Sequence, residues 1–123
     1  ALEFFVAGDT LLANEFAPRV HNSGHWTMEG AETSQFTNHI LAITGAPPGP
    51  TAARGYAGMV NLIGTIGDAV RDLELAGCTL HDYGKQARPG RKLGHVTTVA
   101  DTAALCDRRL ALIEKTVTQS TPT

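Results

Sequence analysis

Two glutamates and two groups of cations are the residues in this sequence whose types and spacing could do chemistry. Glu3 lies in Leu2-Glu3-Phe4-Phe5-Val6 and Glu15 ends Leu11-Leu12-Ala13-Asn14-Glu15, two runs separated by Gly8-Asp9-Thr10. Such runs around a short glycine-bearing loop predict a β-hairpin. With Asp9 at the centre, Ala7 faces Leu11, Phe5 faces Ala13 and Glu3 faces Glu15. Side-chain alternation then puts both carboxylates on one face as a cross-strand pair. Like charges directly opposite destabilise a hairpin unless something positive sits between them. Magnesium fits, because it takes hard oxygen ligands and bridges one or two carboxylates to nucleotide phosphates. Asn14 stands beside the pair. Two exposed surface glutamates are the alternative, and spacing alone favours that alternative.

Arg19-Val20-His21-Asn22-Ser23-Gly24-His25 follows the Glu15 strand. Arginine, histidine and asparagine there would hold an anion or position an electrophile. His21 and His25 also stand four apart, yet no third and fourth ligands for zinc occur at convincing spacing. The second cationic group is Lys85-Gln86-Ala87-Arg88-Pro89-Gly90-Arg91-Lys92, ahead of Gly94 and His95. A turn forced by Pro89 and Gly90 would wrap a phosphate with side-chain and backbone donors, with Gly94 giving room for close approach. A solvated basic hairpin tip is the alternative. Aromatic residues are few and not interleaved with these cations, which argues against nucleic acid.

The elements that must position these groups read as α+β. A long ordered loop is expected over 16–32 and a helix over 33–44, with Gly45 as terminator. Ala46-Pro47-Pro48-Gly49-Pro50 is the best linker, dividing the chain into residues 1–46 and 47–123. Beyond it, Tyr56 to Ile63 reads as a strand. Thr65 and Asp68 resemble a capping box for a helix carrying Ile66, Val70 and Leu73, ended by Gly77. Cys78 to Tyr83 and Lys92 to Val99 read as strands. Asp101 is expected to cap a last helix with Cys106, Leu110, Ile113 and Val117 on one face, followed by a frayed tail over 119–123.

Composition narrows the classes. With 42% hydrophobic residues, 18% charged residues and a net charge of -2, the chain is globular and not generally basic. No apolar run approaches the roughly 18 residues of a membrane span. Cys78 and Cys106 form no CxxC pair and read as buried free thiols of a reducing cytoplasm. The chain opens without methionine on residues already strand-like, which reads as a cut end.

Three ordered blocks carry a resemblance. Asn14 to Thr27 with Ser34-Gln35-Phe36, then Met59-Val60-Asn61-Leu62-Ile63-Gly64, then Arg88 to His95, resemble the 5-(carboxyamino)imidazole ribonucleotide synthases. The first block looks like the end of that family's ATP-grasp domain, the others like its small C-terminal domain. The resemblance implies a cytoplasmic, homodimeric ligase of purine biosynthesis. It would use ATP and Mg2+ to carboxylate 5-aminoimidazole ribonucleotide with bicarbonate through carboxyphosphate. By position, Glu3 and Glu15 would hold magnesium, and Asn14 would lie with Glu15 at the ATP phosphates. Arg19, His21 and Asn22 would face the bicarbonate-derived intermediate, while Lys85, Arg88, Arg91 and Lys92 would include the ligands of the ribonucleotide phosphate. The family's glycine-rich loop and adenine-side residues belong to earlier strands and are not among these 123 residues, so this stretch alone is expected to be inactive. A non-catalytic binding or dimerisation module is the alternative.

Overall fold

The computed structural model describes residues 1–120, the side chain of Leu75 excepted. Its elements are those of an α+β chain. β1 (Leu2–Ala7) and β2 (Thr10–Phe16) form an antiparallel hairpin. A 3-10 turn at Asn22–Gly24, α1 (Thr27–Gly30) and α2 (Gln35–Ile43) follow. Beyond these come β3 (Tyr56–Ile63), α3 (Asp68–Arg71), a 3-10 stretch at Asp72–Ala76, β4 (Cys78–Asp82), β5 (Lys92–Ala100) and α4 (Ala103–Gln119).

The hairpin differs from its expected register in an instructive way. Ala7 pairs with Thr10 and Phe5 with Leu12, so the loop is the two residues Gly8-Asp9. Gly8 takes φ +60, the conformation that two-residue hairpin turns ask of glycine. This shift alone would separate the glutamates. A bulge between Glu3 and Phe4 restores Glu3 opposite Glu15 and leaves Asn14 as the extra residue. The apolar side chains of the hairpin remain largely uncovered: Phe5, Val6, Leu11 and Phe16 are 57–77% exposed. A lone two-stranded hairpin is marginal in water.

Residues 16–32 are less irregular than expected: the His21 side chain caps the 3-10 turn by accepting from the Ser23 N–H, and α1 follows. The helix expected over 33–44 is α2, which starts when Ser34 accepts a bond from the Thr37 N–H. The proline-rich stretch after Gly45 is tied down by side-chain and backbone bonds. The Gly49 N–H donates to Asn38 Oδ1 at 2.8 Å, and Ala53 forms a bridge with Ala31.

The second sheet has the order β3-β5-β4, antiparallel throughout. One face carries the row Val60–Val96–Leu80 and packs against α3 and α4 through Leu62, Val70, Cys78 and Ile113. Leu62 and Ile113 are fully buried, each contributing about 1.5–3 kcal/mol of hydrophobic stabilisation. Both cysteines are buried free thiols. The predicted stripe on α4 is present, with Cys106 and Ile113 buried and Leu110 and Val117 against the core.

Two caps move. α4 is capped by Thr102, whose hydroxyl accepts from Leu105 N–H, because β5 continues through Ala100 and leaves Asp101 in the bend. The Thr65 box does not form: α3 begins after Gly67, which has no side chain to clash with Ser120. The helix runs a single turn before tightening to 3-10 and stopping at Gly77, in the left-handed region at φ +77. Of the expected tail, Gln119 belongs to α4, and residues 121–123 lie outside the described residues.

Candidate functional site

At the hairpin end, His21 sits between the two carboxylates. Its Nδ1 lies 3.9 Å from Glu3 Oε2 and its Nε2 3.5 Å from Glu15 Oε2. Ser23 N–H donates to Nδ1, which leaves the ring proton on Nε2, toward Glu15. Arg19 reaches Glu15 Oε1 at 3.2 Å, and Asn14 donates to Glu3 Oε1. Glu3, Asn14, Glu15, Arg19 and His21 are therefore one constellation. Asn22 adjoins it, with a buried Oδ1 that has no hydrogen-bond partner among the described residues.

No group of three or more histidine, cysteine or acidic side chains converges for a metal among the described residues. A zinc site at His21 and His25 therefore has no support. Magnesium is different, because one or two carboxylates suffice when phosphates and waters complete the octahedron. The paired, half-exposed oxygens of Glu3 and Glu15 fit that habit.

The four cations of the second group divide. Arg88 and Arg91 are exposed, the latter with only a 3.5 Å contact to the Gln86 carbonyl. Lys92 is half-buried, and burial and the charge of Lys85 both hold its ammonium below the usual lysine range. Lys85 lies 5.0 Å from the centroid of the Tyr83 ring. Neither lysine has an ion-pair partner among the described residues. Two unneutralised ammonium groups held near one another suit an anion. Gly94 plays another part than expected: a Cβ there would meet the His81 carbonyl oxygen at 2.3 Å, so the glycine serves β4–β5 pairing.

Between the two groups lies a polar row that residue types did not announce. Asn61, His95 and His81 are register partners across β3, β5 and β4, on the face away from α4. His81 and His95 stack with centroids 4.5 Å apart, and His81 Nε2 meets Glu29 Oε1 of α1 at 2.7 Å. Tyr83 Oη binds His95 Nδ1 at 2.7 Å, and the His25 ring lies 5.3 Å from that of His95. The period-two alternation of β5 would have placed His95 beside His81 only once the pairing register was known.

His95 is fully buried. Burial first, then the neighbouring His81, His25 and Lys92, lower its pKa to about 4. A histidine kept neutral in the folded state costs stability when the unfolded chain takes up its proton. Stability should therefore be complete above the unfolded pKa of about 6.5 and fall as pH drops from there toward 4. The loss has a ceiling on the order of 3 kcal/mol. Chemical denaturation of the 123-residue chain at a series of pH values checks this, and His95→Gln should flatten the dependence. A wild-type profile as flat as that of the variant would contradict it.

Two family models match separate parts of the chain. The phosphoribosylaminoimidazole carboxylase C-terminal domain model matches residues 57–109, and the ATP-grasp domain model matches residues 1–36. The N5-carboxyaminoimidazole ribonucleotide synthase of Pseudomonas aeruginosa is 49% identical over 114 residues, covering 93% of this chain and 32% of the relative. The chain belongs to the N5-carboxyaminoimidazole ribonucleotide synthase family. It spans about a third of the length of the curated relatives it matches. The synthetase structure from Thermus thermophilus superposes with TM-score 0.85 at 51% identity, over 99% of this chain and 33% of that one. The synthase of Aspergillus clavatus, solved with ADP and 5-aminoimidazole ribonucleotide, gives TM-score 0.83 at 32% identity, over 95% and 34%. In the terms of this synthase family, Glu3, Asn14, Glu15, Arg19, His21 and Asn22 fall within the ATP-grasp match. Lys85, Arg88, Arg91 and Lys92 fall within the C-terminal-domain match.

Proposed function

We propose that residues 1–123 serve an ATP-dependent ligase that carboxylates the amino group of 5-aminoimidazole ribonucleotide with bicarbonate in purine biosynthesis. Residues 1–46 close its ATP-grasp domain and residues 47–123 form its small C-terminal domain. The enzyme is a cytoplasmic homodimer, and the exposed apolar side chains of the hairpin are covered by the rest of the ATP-grasp domain. The observation that carries the reading is the Glu3–Glu15 pair, directly opposed across His21 within the segment that matches ATP-grasp domains.

Phosphoryl transfer is mostly positioning and charge neutralisation. Glu3 and Glu15 would hold magnesium, which would supply charge neutralisation at the ATP phosphates when ATP phosphorylates bicarbonate. Asn14, aimed by the bulge, lies at those phosphates. Arg19 offers its guanidinium to the resulting carboxyphosphate, which delivers its carboxyl group directly or as carbon dioxide. His21 is held with its Nε2 proton toward this anionic centre, and the orphaned Asn22 Oδ1 accepts from the substrate's amino group. Lys85 and Lys92 take the ribonucleotide phosphate, with Arg88 and Arg91 at its outer edge. Closure of the domains shields the carboxyphosphate from water.

In the family-length enzyme, Lys92→Ala should weaken substrate binding about 10- to 100-fold, the equivalent of roughly 1.5–3 kcal/mol for a charged hydrogen bond. Arg88→Ala, at an exposed position, should cost less, and ATP affinity should hardly change. Calorimetric titration with each ligand separates these outcomes. Equal losses for ATP and ribonucleotide, or none for either, would make this turn a solvated hairpin tip.

A further inference from the structure

We propose that Gln35 is the positioning residue of this site, its amide fixing the His21 backbone and the His25 ring together and so aiming Arg19–Asn22 at the reacting atoms. The inference rests on the function proposed above. Gln35 opens α2, and its side chain makes three hydrogen bonds, none of them to Glu3 or Glu15. Oε1 accepts from the His21 N–H at 2.9 Å, and Nε2 donates to the His21 carbonyl at 2.7 Å. The second Nε2 proton goes to His25 Nδ1 at 2.7 Å. The His21 peptide therefore fixes which end of the amide is nitrogen. Both donors are used, and a neutral His25 with its proton on Nε2 is the form that fits.

The clamp is itself held. The Gln35 N–H donates to Thr27 Oγ1 at 2.9 Å, and that hydroxyl donates to the Gly24 carbonyl at 2.5 Å. A Cβ at Gly24 would meet Gln35 Oε1 at 2.6 Å, so glycine there leaves the amide its place. His25 carries the arrangement onward, its ring against Phe36 of α2 and His95 of β5. β5 begins at Lys92. Burial, then the charges of Lys92, His21 and His81, lower the proton affinity of His25, which keeps Nδ1 free to accept. One amide thus ties the peptide of the histidine between Glu3 and Glu15 to the strand that starts with the phosphate-binding lysine. Positioning of this kind affects turnover more than ground-state affinity.

The test uses Gln35→Met, which keeps length and bulk, and Gln35→Glu, which keeps an acceptor for the His21 N–H but loses both donors. In the family-length enzyme, each should lower kcat for carboxylation about 10- to 100-fold, the range for outer-shell partners. The KM for ATP should stay within about threefold of wild type, because the Gln35 side chain bonds the His21 backbone and the His25 ring and not Glu3, Asn14 or Glu15. The ATP hydrolysed per ribonucleotide carboxylated should rise, because carboxyphosphate forms but meets a misaimed acceptor. Nitrogen NMR of labelled histidines supplies a second readout: His25 should lose its fixed Nε2–H tautomer in both variants. Coupling at the wild-type ratio, or unchanged His25 signals, would overturn the proposal. So would activity losses that merely follow the folded fraction. A wild-type enzyme with no ribonucleotide-dependent phosphate release would instead overturn the proposed function beneath it.

Discussion

Replacing Glu15 by glutamine in the family-length enzyme is expected to lower kcat by about 100-fold or more while leaving the fold in place. Outer-shell partners of a metal ligand already account for about 10- to 100-fold, and a direct ligand should matter at least as much. The amide keeps the shape of the side chain but removes the charge that magnesium requires. It also removes the charge facing His21 Nε2 at 3.5 Å and Arg19 at 3.2 Å. These ion pairs are partly exposed, so their loss costs little stability. The melting temperature should therefore barely change. Raising magnesium should recover part of the rate. Unchanged turnover at limiting magnesium would return Glu15 to the surface glutamates.

The 123-residue chain by itself should release no phosphate from ATP above background when bicarbonate and 5-aminoimidazole ribonucleotide are supplied. This is the largest effect expected, a complete absence of turnover. The chain covers about a third of its relatives, and the family resemblance puts the adenine and triphosphate grips in strands outside residues 1–123. The hairpin compounds the loss. With Phe5, Val6, Leu11 and Phe16 more than half exposed, the strands bearing Glu3 and Glu15 have little apolar cover to order them. Colorimetric phosphate release checks this, and substrate-dependent release by the pure chain would contradict it.

Much of the fold was legible from local signals. The strand over Tyr56–Ile63 falls where its residues predict, and α4 carries the predicted stripe. Where reading failed, the deciding contacts were distant. The turn at Gly8-Asp9 was read one residue too long, and a compensating bulge at Asn14 kept Glu3 opposite Glu15 all the same. A one-residue slip normally moves a side chain to the other face, so the glutamate pair was reached despite a wrong register on its way. The Thr65 box yielded to the close approach of Gly67 and Ser120, 53 positions apart by their numbers.

The constellation around Glu3, Glu15 and His21 was visible because its members lie within twenty residues of one another. The histidine row was not, since Asn61, His81 and His95 meet only through strand register and Glu29 arrives from α1. Gln35 was noticed within a family block, but its role depends on a glycine eleven residues earlier and on a neutral histidine. Burial also ranked the basic turn, which composition left undivided: Lys92 is half-buried, Arg88 and Arg91 exposed.

The most direct test joins the first two-thirds of the Pseudomonas aeruginosa relative to this chain and follows isotope-labelled bicarbonate. If residues 1–123 supply the metal-binding carboxylates and the substrate-phosphate lysines, the hybrid will incorporate label into 5-aminoimidazole ribonucleotide in an ATP-dependent reaction. The same hybrid with Glu15→Gln will fold but incorporate about 100-fold less label per minute. A folded, ATP-binding hybrid that transfers no label, or one whose rate is indifferent to Glu15, would contradict the account.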